Sequence, residues 1–209
     1  MAAAVTAAKR GHRVVLCEKG EKLGGTINFA DNDSLKIDLR RYKAWLIRQT
    51  EKAAVEIRLN TEVTPDLVRA LEPDHIIVAA GAEPVTPNLP GIDLARHALE
   101  AYASPKSVGE RVVIVGGGLV GVECGMHLAS TGHEVTVLEA LDEAARDAGP
   151  VYKIGMTAKA GELGLDIRTG AKVLEITEAG VRYEKEGREA FLPADTALYA
   201  VGMRSRIQT

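Results

Sequence analysis

The sequence predicts an α/β protein built from two tandem copies of one parallel-sheet unit, and three observations support that fold class. Residues 132–139 repeat the pattern of residues 11–18, which sets the offset between the copies at 121 residues. The same offset aligns residues 73–81 with residues 194–202. Short apolar strands also alternate with helical segments in both halves, as they do in βαβ units. Self-similarity at a fixed offset indicates a duplicated domain.

The first half begins with an alanine-rich helix over residues 1–10, followed by an apolar strand over residues 13–17. A continuous apolar strand is typical of a parallel sheet that is covered on both faces. A longer helix is predicted from residue 31 or 34 to about residue 54, because apolar side chains recur there at helical spacing. Short strands are then expected at residues 55–59 and 76–79.

A proline-rich crossover over residues 81–91 leads to the second half, and a domain boundary is predicted near residue 105. This boundary divides the chain into domains of residues 1–104 and 105–209. Strands and helices alternate in the second domain as well, so a second parallel sheet is expected. Its predicted elements are strand 112–115, helix 120–131, strand 135–139, helix 151–163, strand 165–168, a polar hairpin over 171–192 and strand 196–201.

A glycine-rich loop lies between the first strand and the first helix of the second domain. It consists of Gly116, Gly117, Gly118, Leu119, Val120 and Gly121. A lone G-x-G-x-x-G is weak evidence, but a preceding strand and a following helix are the context of the dinucleotide-binding fingerprint. Gly116 would permit the tight turn, Gly118 the approach of a pyrophosphate, and Gly121 close packing of helix on strand. The helix start near Leu119 would offer free amides to the phosphates.

Glu139 ends the next predicted strand, 23 residues after Gly116. A carboxylate at this position accepts hydrogen bonds from an adenosine ribose. Its charge would repel a 2′-phosphate, and Ala140 and Leu141 supply no arginine, so NADH is expected rather than NADPH. Arg146 could fold back and keeps NADPH open as an alternative. The other interpretation is a surface glutamate at the end of a strand.

The first copy carries the matching carboxylate, Glu18, followed by Lys19 and the pair Gly24 and Gly25, which predicts a second nucleotide site. Applied backwards, the offset places the counterpart of Gly121 immediately before Met1. The sequence therefore predicts two Rossmann-like dinucleotide-binding domains with parallel sheets, the first lacking its opening strand and phosphate loop.

Two further glycines, Gly81 and Gly202, each close an apolar strand. They would mark where the chain leaves the sheet beside bound nucleotide. For Gly202 a simple strand terminator is an equally good interpretation.

Composition excludes several classes of function. The chain is 46% hydrophobic, with a formal charge of −3 and no basic cluster, so neither nucleic acid nor an anionic membrane surface is expected as a partner. No apolar stretch reaches the ~20 residues of a membrane helix, and no export signal is recognised, so a cytoplasmic location is expected. Two cysteines, Cys17 and Cys124, are too few for an iron–sulfur cluster, and no metal site is predicted.

These motifs resemble the two-dinucleotide-binding flavoprotein superfamily over nearly the whole chain. The likeness is carried by Glu18-Lys19, Gly24-Gly25, residues 79–84, residues 115–121 and residues 195–202. Within it, the chain is most similar to the C-terminal FAD/NAD(P)-binding half of NADH:flavin oxidoreductases fused to an old yellow enzyme-like barrel. That group includes 2,4-dienoyl-CoA reductase, enoate reductase and trimethylamine dehydrogenase.

The resemblance implies FAD or ADP in the first copy and NADH in the second, with electrons passing to an iron–sulfur cluster and FMN in an N-terminal barrel domain. It places Glu18, Gly24 and Gly25 at the flavin site, and Glu123 near the nicotinamide, although a helix-surface role fits Glu123 equally well. The absent first loop and a chain end before the family's returning Gly-Asp segment predict a fragment that is inactive alone.

Two classes of function follow from this pattern. One is an enzyme module in which orientation of the nicotinamide against a flavin provides the catalysis, so no catalytic side chain is named. Its nearest enzymatic alternative is a dithiol-free reductase of the ferredoxin or rubredoxin type. The other is a redox-silent structural domain that holds ADP.

Overall fold

The computed structural model describes residues 1–206, without the side chains of Ala103 and Pro105. By its contacts the chain divides into two compact units. The first comprises Met1–Gly81 with Arg206, and the second comprises Ala82–Ser205. Among the described residues no helix is long and apolar enough to cross a membrane.

The first unit contains three helices and two strands. They are, in order, α1 (Ala2–Lys9), β1 (Val14–Cys17), α2 (Ile37–Lys52), β2 (Val55–Arg58) and α3 (Pro65–Leu71). β1 and β2 pair in parallel, with Val14 opposite Val55. Two short 3₁₀ helices at Gly25–Asp31 and Ser34–Lys36 lead into α2. Helix, strand, helix and strand therefore follow in the order predicted from the sequence.

The strand predicted at residues 76–79 is not formed, and this prediction is wrong. Residues 76–81 have no regular structure, and the side chains of Ile76, Ile77 and Val78 are exposed. An extended segment becomes a strand only when a neighbour accepts and donates its backbone hydrogen bonds. Among residues 1–206 no strand pairs with this segment, and the first unit's sheet contains only β1 and β2.

The second unit contains three helices and ten strands within its described range. Its elements are β3 (Ala82–Pro84), β4 (Arg96–His97), α4 (Ala98–Ala103), β5 (Arg111–Val115), α5 (Leu119–Ser130), β6 (Glu134–Leu138), α6 (Pro150–Glu162), β7 (Asp166–Arg168), β8 (Ala171–Thr177), β9 (Gly180–Lys185), β10 (Arg188–Pro193), β11 (Thr196–Tyr199) and β12 (Met203–Ser205). The α/β fold class is confirmed, with a five-stranded parallel sheet as its centre.

The strand order in that sheet is β4-β11-β5-β6-β7, and every neighbouring pair is parallel. β5 is central, and four of its five residues, Val112 to Val115, are buried. The hairpin predicted over residues 171–192 is a three-stranded antiparallel sheet in the order β10-β9-β8. Ile176 and Val181 of this smaller sheet share a buried core with Val113 and Leu138.

The two compact units divide at Gly81, whereas the sequence places the boundary near residue 105. The difference arises because residues 82–104 belong structurally to the second unit. β4 adds to the parallel sheet through β11, and the ring of Tyr102 on α4 stacks on His127 of α5 with centroids 4.8 Å apart. The assignment of a cofactor to each domain stays a prediction.

Candidate nucleotide-binding site

A tight turn joins the carboxyl end of β5 to the start of α5. Gly116 has φ +103°, in the region that glycine adopts readily and other residues do not. Gly118 is the N-cap residue of α5, and no side chain caps this helix end. The first amides of the helix, from Leu119 onwards, are therefore available to an anion, and the helix dipole favours negative charge there.

The glycines of this loop differ in what a side chain would meet. A Cβ on Gly121 would collide with the carbonyl oxygen of Gly116, and one on Gly116 would lie 2.6 Å from the carbonyl oxygen of Ala200. A Cβ on Gly117 would lie 2.7 Å from Cβ of Glu139. Gly118 has no heavy atom within 4 Å of its Cβ position. Three glycines are thus required by packing, and Gly118 faces open space that a phosphate group can enter.

The carboxylate of Glu139 is fixed by two backbone hydrogen bonds. Oε2 accepts from the amide of Gly117 at 2.7 Å, and Oε1 accepts from the amide of Leu141 at 2.8 Å. The carboxylate therefore links the glycine loop to the turn that follows β6. Each carboxylate oxygen has two lone pairs, so both retain one for a ribose hydroxyl.

The loop and this carboxylate border a cavity of about 660 Å³. That volume lies in the range of sites for small organic ligands and cofactors. Its lining residues are Pro87, Asn88, Leu89, His97, Val115, Gly116, Gly118, Leu119, Val120, Leu138, Glu139, Ala140, Leu141, Asp147, Ala171, Lys172, Val173, Ala200, Val201, Gly202 and Met203. The cavity lies at the carboxyl ends of the parallel strands, where open α/β sheets bind their ligands.

Two titratable groups at opposite ends of the parallel sheet have shifted pKa values. Burial lowers the pKa of His97, so its imidazole is neutral near pH 7. At the amino ends of β5 and β11, hydrogen bonds from the Arg111 side chain and amide lower the pKa of Asp195 to about 2. Nε and Nη2 of Arg111 lie 3.2 and 2.7 Å from the two carboxylate oxygens. This ion pair joins two neighbouring strands at the end of the sheet opposite the glycine loop.

The structure brings the predicted residues of the second domain together, with one exception. Gly202, which has φ +125°, lines the cavity together with the glycine loop and Glu139. Glu123 does not line the cavity, and its carboxylate accepts a hydrogen bond from the hydroxyl of Tyr152 on α6. This contact between α5 and α6 favours the helix-surface interpretation of Glu123.

The predicted residues of the first copy lie in the first unit. Oε1 of Glu18 accepts a hydrogen bond from the amide of Gly20 at 2.7 Å. Glu139 makes the equivalent contact, because its Oε1 accepts from the amide of Leu141, which is also two residues further on. Lys19 forms an exposed ion pair with Glu62 at 2.8 Å.

The three glycines predicted at the first site all have positive φ: Gly24 at +121°, Gly25 at +54° and Gly81 at +76°. Both copies therefore share the hydrogen bond from the carboxylate to the amide two residues further on. Residues 1–81, however, contain no counterpart of the Gly117 amide that binds the second oxygen of Glu139.

Sequence reasoning missed His97, Asp147 and Lys172 as residues of the cavity. His97 belongs to a two-residue strand, which has no periodicity to detect, and it reaches the site only because β4 pairs with β11. Within residues 1–206 no group of three or more His, Cys, Asp or Glu side chains is arranged to hold a metal ion.

The parallel sheet, the glycine turn and the carboxylate at the end of the second strand define a dinucleotide-binding module. Residues 1–209 match the family described as pyridine nucleotide-disulphide oxidoreductase, and the chain belongs to that family. Membership in this family implies binding of FAD and NAD(P)H.

Relatives of known activity support this assignment. The chain is 38% identical to an NADH oxidase of Thermoanaerobacter brockii over 97% of its length, and 33% identical to a bilirubin reductase of Mediterraneibacter gnavus over 99%. A solved 2-naphthoyl-CoA reductase superposes with a TM-score of 0.90 at 28% identity, over 96% of this chain and 31% of that one. The chain covers 32% and 33% of the two curated relatives, about a third of their length.

Proposed function

We propose that this chain is the pyridine nucleotide-binding module of an NADH:flavin oxidoreductase and that the cavity of the second unit binds NADH. One observation carries the proposal: the Glu139 carboxylate, held by the Gly117 amide, shares a cavity with the uncapped amino end of α5. A ribose acceptor and a phosphate site are therefore offered side by side, as an adenosine diphosphate group requires.

The residues of this chain bind and orient the nucleotide. When bound, the nicotinamide supplies a hydride to the flavin. The glycine loop and α5 hold the pyrophosphate through backbone amides, and Glu139 holds the adenosine ribose. No acid or base on the protein is required for hydride transfer itself, so positioning is the contribution of these residues.

The preference for NADH over NADPH follows from the charge of Glu139. Both of its oxygens already accept backbone hydrogen bonds, so the carboxylate cannot swing away from an incoming 2′-phosphate without breaking them. A phosphate placed against a fixed carboxylate is repelled. The NADH oxidase relative is consistent with this preference.

The flavin and the onward path of the electrons complete the proposal. Residues 1–81 contribute Glu18, Gly24 and Gly25 to a site for FAD or ADP beside the parallel pair of β1 and β2. An N-terminal barrel with FMN and an iron–sulfur cluster then receives the electrons. The reductase relatives are about three times as long as this chain, which leaves room in them for a further domain.

Titration of the 209-residue chain with NADH, NADPH and ADP tests the nucleotide site. We expect saturable binding of NADH and ADP, weaker binding of NADPH, and about ten- to hundredfold weaker NADH binding in Glu139→Gln, since charge-assisted hydrogen bonds are lost. Glu189→Gln on β10 is the matched control, because Glu189 pairs with Arg182 and does not line the cavity.

Two results would contradict the proposed function. One is that the wild-type chain does not bind NADH. The other is equal NADH affinity in Glu139→Gln and Glu189→Gln. Binding of ADP without NADH would support the redox-silent structural domain instead.

A further inference from the structure

We propose that His97 donates a hydrogen bond from Nε2 to the nicotinamide riboside half of the bound nucleotide, so that the site selects the complete dinucleotide over ADP. The inference rests on the proposed nucleotide site and extends it to a residue outside the fingerprint. It is carried by the location of His97, by the fixed orientation of its ring and by the strand order of the sheet.

His97 lies at the carboxyl end of β4, where the sheet meets the cavity. Its backbone pairs with Tyr199 of β11, which in turn pairs with Val115, the last residue before the glycine loop. The residue is 3% exposed and is one of the residues that line the cavity. A buried polar side chain thus lines a cavity whose surface is mainly apolar.

The orientation and the tautomer of the ring are both set by neighbours. Nδ1 accepts a hydrogen bond from the amide of Leu99 at 3.2 Å, where His97 caps α4. In a neutral imidazole the other nitrogen, Nε2, then carries the hydrogen. The ring packs edge-on against Tyr199 with centroids 5.3 Å apart, and the Tyr199 hydroxyl lies 3.4 Å from Oγ1 of Thr86.

The Nε2–H group is left to a ligand. None of the described residues accepts a hydrogen bond from it. Nε2 is also absent from the set of side-chain atoms that are both fully buried and unpartnered, so it keeps some contact with solvent. Burial keeps the ring uncharged, and a neutral donor is suited to a hydroxyl or an amide oxygen rather than to a phosphate.

The strand order identifies which half of the nucleotide reaches His97. Glu139 follows β6, on one side of the central strand β5, whereas β11 and β4 lie on the other side. A dinucleotide held at the loop after β5 extends in both directions across the strand ends. With the adenosine ribose at Glu139, the nicotinamide riboside lies over β11 and β4. Its ribose hydroxyls and carboxamide oxygen are acceptors for Nε2–H.

Two substitutions separate the ligand role of His97 from its role as a helix cap. In His97→Asn the side-chain oxygen takes the place of Nδ1 and still accepts from the Leu99 amide, but nothing replaces Nε2. In His97→Gln the longer side chain can present an amide N–H near the Nε2 position, but the cap is lost. Affinities for NADH and for ADP are measured by calorimetry in the full 209-residue chain, together with the thermal midpoint.

We expect His97→Asn to bind NADH about three- to tenfold more weakly than wild type, the loss of one neutral hydrogen bond, with unchanged ADP affinity and thermal midpoint. His97→Gln should retain NADH affinity and melt at a lower temperature, since the Leu99 amide loses its acceptor. A residue that only supports the fold would give the opposite order of NADH affinities.

Three results would overturn the inference while leaving the nucleotide site intact. They are unchanged NADH affinity in both variants, equal losses for NADH and ADP in His97→Asn, and weaker NADH binding in His97→Gln than in His97→Asn. Failure of the wild-type chain to bind NADH would overturn the proposed function, and this inference with it.

Discussion

Gly118 and Gly121 lie one helical turn apart at the glycine loop, yet their surroundings are opposite. Gly118 has φ −64° and ψ 179°, which any residue adopts, and nothing lies within 4 Å of its Cβ position. Gly121 packs so tightly that a Cβ would collide with the carbonyl oxygen of Gly116. One glycine therefore serves the ligand and the other serves the fold.

Replacing each of these glycines by valine separates the two roles. Gly118→Val should keep the thermal midpoint and lose nucleotide affinity, because the side chain occupies the space that a pyrophosphate would enter. Gly121→Val should lose about 1–3 kcal/mol of stability through overpacking of α5 on β5. Calorimetric titration with ADP and thermal unfolding are the measurements. Unchanged ADP binding in Gly118→Val would contradict the placement of the phosphates.

At the scale of elements, residues 76–79 and β11 show how the same pattern gives different structures. The repeat aligns Ile77 with Leu198, and both lie in short apolar runs. Leu198 is fully buried in a strand with neighbours on both sides, whereas Ile77 is 69% exposed in a segment without a partner. Strand formation is decided by the neighbouring strand, which the local sequence does not reveal.

The aligned pair provides a stability test with an internal control. Leu198→Ala should destabilise the second unit by about 2–5 kcal/mol, because it leaves a cavity in the core. Ile77→Ala should change the free energy of unfolding of this chain by no more than about 0.5 kcal/mol, as expected for an exposed position. Denaturant unfolding of both variants measures the difference. A comparable loss in the two variants would mean that residues 76–79 are packed after all.

The ion pair between Arg111 and Asp195 predicts how the junction of β5 and β11 responds to acid. The folded state lowers the pKa of Asp195 from 3.8 to about 2, so the folded protein binds this proton less readily than the unfolded chain. The stabilisation is complete above pH 3.8 and is lost as the pH falls towards 2. Asp195→Asn should therefore lower stability at neutral pH and flatten its dependence between these values.

Thermal midpoints of wild type and Asp195→Asn across this pH window check the prediction. The curves should converge at the acid end. Parallel curves would show that the carboxylate contributes no pH-dependent stability.

Elements with a strong local pattern were predictable, and those that depend on distant partners were not. The helix expected over residues 151–163 is found at Pro150–Glu162, and the strand expected at 112–115 is found at Arg111–Val115. β4 was missed because two residues carry no periodicity. The sequence showed the spacing between Glu139 and the glycine loop. It did not show the hydrogen bond that the Glu139 carboxylate accepts from the Gly117 amide. The cavity residue His97 had no signal in the sequence.

At the scale of the whole molecule, the chain carries two copies of one carboxylate turn in unequal settings. Glu139 has a glycine loop beside it, and Glu18 repeats the contact to the amide two residues on without such a loop among residues 1–81. The chain covers about a third of its curated relatives. We therefore expect this chain to bind NADH beside Glu139 and to hold FAD only poorly beside Glu18.

The most direct test of the central claim is a crystal structure of this chain soaked in NADH. We predict an adenosine ribose within hydrogen-bonding distance of the Glu139 carboxylate and a pyrophosphate at the amides of the turn before α5. A nucleotide bound elsewhere, or at this cavity with its adenosine turned away from Glu139, would contradict the account.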